Sequence, residues 1–293
     1  MVQSKSVGDY IGKIILYTVL SAIAILCIIP FVHVIAASLS SPEYLSSAGF
    51  ILWPIKPNLD TYKYIFSTST VFQGLSNTVY ITVVGTIINM VMTILMAYPL
   101  SHSYLPGRNV INFLVVFTMM FTGGMIPNYI IVKSLGLVDT FWAVMLPGAI
   151  NAFNLIVLRN FMSQIPDSME EAARIDGCSE FRILVSIILP LSMASLATLT
   201  LFYAVAHWNQ FQQPLMFLND SSKWPIQILL RQMVVLASGA GLGDSGAMED
   251  NFSVPEQSVR MAVIVVSTVP ILIVYPFLQK YFAKGVMVGS VKG

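Results

Sequence analysis

Two adjacent carboxylates, Glu170 and Glu171, sit in a short polar stretch between two apolar runs. The stretch reads Pro166, Asp167, Ser168, Met169, Glu170, Glu171, Ala172, Ala173, Arg174, Ile175, Asp176, Gly177. The chain has no HExxH, no GxSxG and no metal-ligand cluster around which such acids could do bond chemistry. Their remaining chemistry is binding: they can satisfy backbone N–H groups or meet basic groups on another protein. Ser168 with Glu171 three positions on fits a capping box. Asp167 and Glu170 add negative charge at the positive end of the helix dipole. Two alanines favour the next turn, and Gly177 can take the left-handed conformation that stops it. The spacing predicts a short helix, a glycine corner, and a second helix from about Ser179.

A short capped helix is ordinarily only a connector, and capping alone would account for Glu171. The longer spacing points further. Three residues separate Glu171-Ala172-Ala173 from Gly177, nine separate Gly177 from Ile187, and one separates Ile187 from Leu189-Pro190. This resembles the EAA signature of membrane subunits of bacterial ABC importers, with no gap in the pattern. The resemblance implies a cytoplasmic loop, 159–189, whose helix sits in a cleft on a separate ATPase subunit. The coupling residues it implies are Glu170, Glu171, Ala172, Ala173, Asp176, Gly177, Ile187, Leu189 and Pro190. Carboxylates at the helix start would engage basic groups of the ATPase, and the two alanines would permit close approach.

The elements that must position this loop are membrane spans. Of 293 residues 56% are hydrophobic and 10% charged, against about 25% charged in soluble domains. Apolar runs at about 14–37, 75–99, 110–131, 140–158, 190–211 and 261–277 predict six transmembrane helices, an all-α integral membrane protein. The first run is too long for a signal-peptide core and long enough to span a bilayer. Segments 38–74 and 212–259 read as external loops, 1–13 as the cytoplasmic N-terminus and 280–293 as a C-terminal tail. The rest, 14–293, reads as one permease domain.

Six spans put both termini on one side, and charge says which. Nine Lys and Arg residues fall on the side of the termini, among them Lys5, Lys13, Arg108, Arg159, Arg174 and Lys284, against six on the other. The positive-inside bias places the termini, and with them the 159–189 loop, in the cytoplasm. The formal net charge of +1 gives no sign of a nucleic-acid partner. Cys27 and Cys178 are poorly placed for a disulfide, and nothing near Cys178 would activate a thiol.

No GxxxxGK[ST] loop is present; the glycine-rich patch at Gly239, Gly241, Gly243 and Gly246 lacks the lysine and hydroxyl that hold nucleotide. The chain is therefore not expected to be an enzyme, and it needs no cofactor of its own. ATP and Mg would belong to the partner ATPase. The C-terminus, ending Val291, Lys292, Gly293, resembles that of the maltose-type permease subunit, whose tail reaches into the ATPase dimer interface. Polar residues inside the spans would ordinarily bridge helices. A sugar path needs amides, hydroxyls and aromatic faces, and the candidates are Asn151, Asn154, Tyr203, Trp208, Asn209 and Gln212. His207 has no partner at metal-ligand spacing, and Asp244 to Asn251 lacks a calcium-loop pattern.

The resemblance, from about Asn77 onward, is to the smaller permease subunit of a maltose/oligosaccharide-type importer in the bacterial inner membrane. It implies a second permease subunit, two ATPase subunits, an external solute-binding protein that contacts the 212–259 loop, and surrounding lipid. The substrate implied is an oligosaccharide larger than a disaccharide, with an alginate-type importer preferred. An ion-coupled secondary transporter of sugars is the alternative, but it would call for mid-span acids, and the parse shows none. A membrane-embedded enzyme would need a catalytic set.

Overall fold

Three sequence breaks decide where the apolar runs stop being straight helices. The computed structural model describes residues 7–45, 49–237 and 256–290, and all its regular elements are helical. In chain order they are α1 (Val7–Ser38), α2 (Pro42–Leu45), α3 (Asp60–Ser67), α4 (Ser69–Ser101), α5 (Arg108–Met120), α6 (Met125–Ser134) and α7 (Trp142–Met145). Then come α8 (Ala152–Met162), α9 (Asp167–Ile175), α10 (Glu180–Ile183), a π-turn at Leu184–Ile188, α11 (Leu189–Leu191) and α12 (Met193–Trp208). The last are α13 (Gln212–Phe217), a 3-10 turn at Ser221–Lys223, α14 (Ile226–Ala237) and α15 (Glu256–Ser290).

Helices α1 and α4 are each long and apolar enough to cross a membrane; counting each bent pair as one span raises the number to four among the described residues. The expected third run, 110–131, is instead a pair, α5 and α6, bent by 117°. Gly124 at the break has φ +82°, and Pro127 falls in the first turn of α6, where its missing N–H costs nothing. The expected fourth run, 140–158, is interrupted between α7 and α8. Pro147 disfavours helix at Leu146, and Asn151 restarts the helix by accepting the Asn154 N–H at 3.1 Å. The expected fifth run, 190–211, holds an 84° bend between the Glu180–Leu191 rod and α12. Pro190 has no N–H for the ladder, and the π-turn just before it takes up the mismatch, with the Leu189 N–H reaching Leu184 O. Helix α15 runs to Ser290, through most of the expected tail. Residues 238–255, with the glycine patch, and 291–293, with Lys292, lie outside the described residues.

The chain divides into two units, one within Met1–Val71 and Leu230–Thr268, the other within Phe72–Leu229 and Val269–Gly293. In the first, α1 exposes apolar side chains along most of its length, Leu26 and Tyr17 among them, as suits a helix facing lipid. Its end is tied down. Ser40 Oγ donates to Ala36 O at 2.7 Å and accepts the Ile55 N–H at 2.9 Å. The Ser38 and Tyr62 hydroxyls lie 2.7 Å apart.

In the second unit the main core joins Ala97 and Leu100 of α4, Val115 of α5, Leu155 and Leu158 of α8, Ala173 of α9, Ile183 of α10 and Leu199 of α12. The short helix α9 is thus packed on the bundle.

Candidate functional site

The helix start differs from the expected capping box. Pro166 is the N-cap, with extended ψ, and no side chain caps the helix. The Met169 N–H bonds to Pro166 O at 3.1 Å, which draws Ser168 into the first turn and leaves it unable to act as the cap. The glycine corner forms as expected. Gly177 has φ +80°, its N–H bonds to Arg174 O, and the Cys178 N–H bonds to Ala173 O, both at 3.0 Å. This pair of bonds is a Schellman ending. Ser179 then caps α10 by accepting the Arg182 N–H.

The two carboxylates part company. Glu171 is exposed with Ala172, Asp176 and Gly177, whereas Glu170 and Ala173 are buried. Ile187 and Leu189 pack against the core, and Pro190 is exposed. The outward side also carries Ile175, 86% exposed, and Phe181, 71% exposed.

Glu170 is held by residues that the sequence pattern did not single out. Its Oε2 lies 2.7 Å from His102 Nε2, just past the end of α4, and accepts from Arg174 at 3.0 Å. Nδ1 of His102 faces the Tyr98 carbonyl oxygen at 2.9 Å. Arg174 also grips Glu180 from Nε at 2.7 Å and from its terminal nitrogen at 3.2 Å, and donates to Tyr104 OH at 3.2 Å. Hydrogen bonding to Glu180 pushes the Arg174 guanidinium above its ordinary value, against the smaller effect of burial. Tyr98 OH donates to Glu180 at 3.1 Å. The His102 ring stands edge-on to Tyr98, with centroids 4.8 Å apart. The sequence signal that could have found this set is a histidine three residues after Pro99, at the same end of its helix as the signature loop.

The expected sugar-path residues fall into two groups. Tyr203 is buried, its hydroxyl 2.8 Å from Thr93 Oγ1 and accepting the Asn151 N–H at 3.1 Å. Asn154 and Trp208 are also buried. Asn151, Asn209 and Gln212 are exposed, and the Asn209 amide donates to Val205 O at 2.9 Å. Beside them, Asn89 donates to Gly148 O at 2.6 Å, and its Oδ1 lies 2.7 Å from His207 Nε2. Among the described residues no group of His, Cys, Asp or Glu could hold a metal ion.

A second polar knot sits around Asp139, whose φ is +63°. Its Oδ1 accepts the N–H groups of Asn219 and Asp220 at 3.1 and 3.0 Å, and Lys223 Nζ donates to Oδ2 at 2.8 Å.

Residues 78–288 match the family of binding-protein-dependent transport system inner membrane components, and the chain belongs to that family. It is similar to the polygalacturonan/rhamnogalacturonan transport system permease protein YtcP of Bacillus subtilis (strain 168), at 53% identity over 95% of this chain and 97% of the relative. It is also similar to the trehalose/maltose transport system permease protein MalG of Thermococcus litoralis, at 30% identity over 97% and 99%. Among solved structures, a chain of a bacterial ABC transporter involved in the import of the acidic polysaccharide alginate matches with TM-score 0.85 and 32% identity. That match covers 94% of this chain and 98% of the other.

Proposed function

We propose that this chain is one of two permease subunits lining the translocation path of an ABC importer for acidic oligosaccharides of the polygalacturonan or alginate kind. In this reading the chain has six spans, both ends and the 159–189 loop are cytoplasmic, and two ATPase subunits power it. A solute-binding protein delivers the sugar from outside. The carrying observation is helix α9, anchored inward by Glu170 and Ala173 while Glu171, Ala172 and Ile175 stand free for another protein. ATP closes the ATPase dimer, the docked helices move, and the path opens outward; hydrolysis resets it. In this reading hydrolysis belongs to the partner ATPase.

The substrate class rests on relatives whose names carry polygalacturonan and alginate. Exposed amides at Asn151, Asn209 and Gln212 suit sugar hydroxyls. The test is uptake of labelled trigalacturonate by cells expressing the whole importer, with unlabelled trigalacturonate, alginate trisaccharide and maltotriose as competitors. Both acidic sugars should compete and maltotriose should not. Competition by maltotriose alone would contradict the acidic reading.

Sidedness has its own test. In a Cys27→Ser background, a membrane-impermeant maleimide added to intact cells should leave Cys178 unlabelled. Labelling from outside would place the loop on the wrong face.

A further inference from the structure

We infer that His102 is a positioning residue for coupling: through Glu170 it locks helix α9 to the inner end of α4, so the two helices move as one body. The inference rests on the permease reading above and adds which span receives the push. Its basis is geometric. The His102–Glu170 contact, at 2.7 Å, joins two side chains that are 8% and 7% exposed. Breaking this contact removes one of the two side-chain partners of the buried Glu170 carboxyl and leaves Arg174, which lies on α9 itself, as the other, so His102 is the partner that ties the carboxyl to the end of α4. Arg174 and Tyr98 close the ring through Glu180, which ties the start of the next rod to the same point.

What α4 does with the push is visible along its length. Thr93 lies nine residues before His102, about 13 Å along the axis, and Asn89 about 20 Å. Thr93 meets the Tyr203 hydroxyl, and Asn89 meets Gly148 and His207. These are the contacts that hold α12 and the α7–α8 turn, where the candidate path residues stand. A continuous helix with a buried clasp at one end and three polar joints further along can carry displacement from the ATPase face to the path. Spatial continuity alone does not establish coupling, so the test must read relative motion.

The test uses the assembled importer with spin labels at two exposed positions, Ser168→Cys on α9 and Leu95→Cys on α4, in a background lacking Cys27 and Cys178. Distances are measured by double electron–electron resonance without nucleotide and with ADP–vanadate trapped. With His102 present, the α9–α4 distance should be the same in both states. In His102→Ala it should change on trapping, and sugar uptake per ATP should fall about tenfold. His102→Gln, whose amide can still donate to Glu170, should restore the fixed distance. A His102→Ala complex that keeps the fixed distance overturns the proposal, as does a wild-type complex in which the two helices separate. Loss of the ATPase from His102→Ala, with the other permease retained, would make the pair a structural support only and also overturns it. The permease reading fails by a different sign: no ATPase copurifies even with the wild-type chain, and the proposal falls with it.

Discussion

Gly85 of α4 and His207 of α12 approach so closely that a Cβ on residue 85 would lie 2.6 Å from His207 Nε2. That nitrogen is the one facing Asn89, so the glycine makes room for a joint between two helices. Gly85→Ala is expected to destabilise the chain by about 1–3 kcal/mol through overpacking. A second change, His207→Ala, removes the ring that the new methyl strikes, so the double variant should lose less than the sum of the singles. Thermal melting of the solubilised complex checks both. A Gly85→Ala complex as stable as wild type would contradict the joint.

Tyr203 separates structure from transport. Its hydroxyl serves Thr93 and the Asn151 N–H, so Tyr203→Phe leaves a donor unmatched, at a cost of about 1–3 kcal/mol. Asn209→Ala and Gln212→Ala, at exposed positions, are expected to leave stability unchanged and to raise KM for sugar uptake. A stability loss at Gln212 with unchanged KM would remove it from the path.

The Asp139 knot carries a pH signature at both extremes. The hydrogen bond from Lys223, then the Asp220 N–H, holds the Asp139 carboxyl below the usual carboxylate range. Asp139 in turn holds Lys223 above the usual lysine range. A depressed carboxyl contributes stability above its unfolded value, near about 3.9, and loses it as pH falls through the lower folded value. A raised ammonium contributes below its unfolded value, near about 10.4, and loses it as pH rises through the higher folded value. Between these limits the knot should be indifferent to pH. Asp139→Asn keeps an acceptor and tolerates the positive φ, so it should melt closer to wild type than Asp139→Ala. Melting curves between neutral and acid pH decide this, and identical curves for both variants would contradict it.

The polar loop was the most legible part of the chain, because its stopping rule is local. Gly177 and Ser179 act within one turn of their own position, and both behave as their residue types dictate. The capping box failed for an equally local reason: with Pro166 as the N-cap, the helix starts two residues before the Ser168 cap that the spacing predicts. Other features depended on distant partners. Glu170 and Glu171 look equivalent in sequence, and only the placement of His102, nearly seventy residues away, turns one inward. The bent spans were hidden because apolar composition does not distinguish a straight helix from two helices meeting at Gly124 or Ser192. Proline and glycine inside each run were the available signal, and hydropathy outweighed them.

Two substitutions in the loop should act differently from each other. Gly177→Pro forces a negative φ where the corner needs φ +80° and deletes the N–H that bonds Arg174 O. It should therefore misdirect α10 and cut the amount of ATPase that copurifies. Glu171→Lys changes only an exposed charge, so the chain should insert and fold normally while uptake per ATP falls. Normal uptake in both variants would contradict the docking role of α9.

The central claim is that this chain forms a path driven by an ATPase on another subunit. Its most direct test is trigalacturonate accumulation by proteoliposomes containing the complete importer and its binding protein. Accumulation should require ATP inside the vesicle compartment facing the 159–189 loop, and it should survive collapse of ion gradients. Uptake that proceeds without nucleotide and stops when an ion gradient is removed would contradict the account.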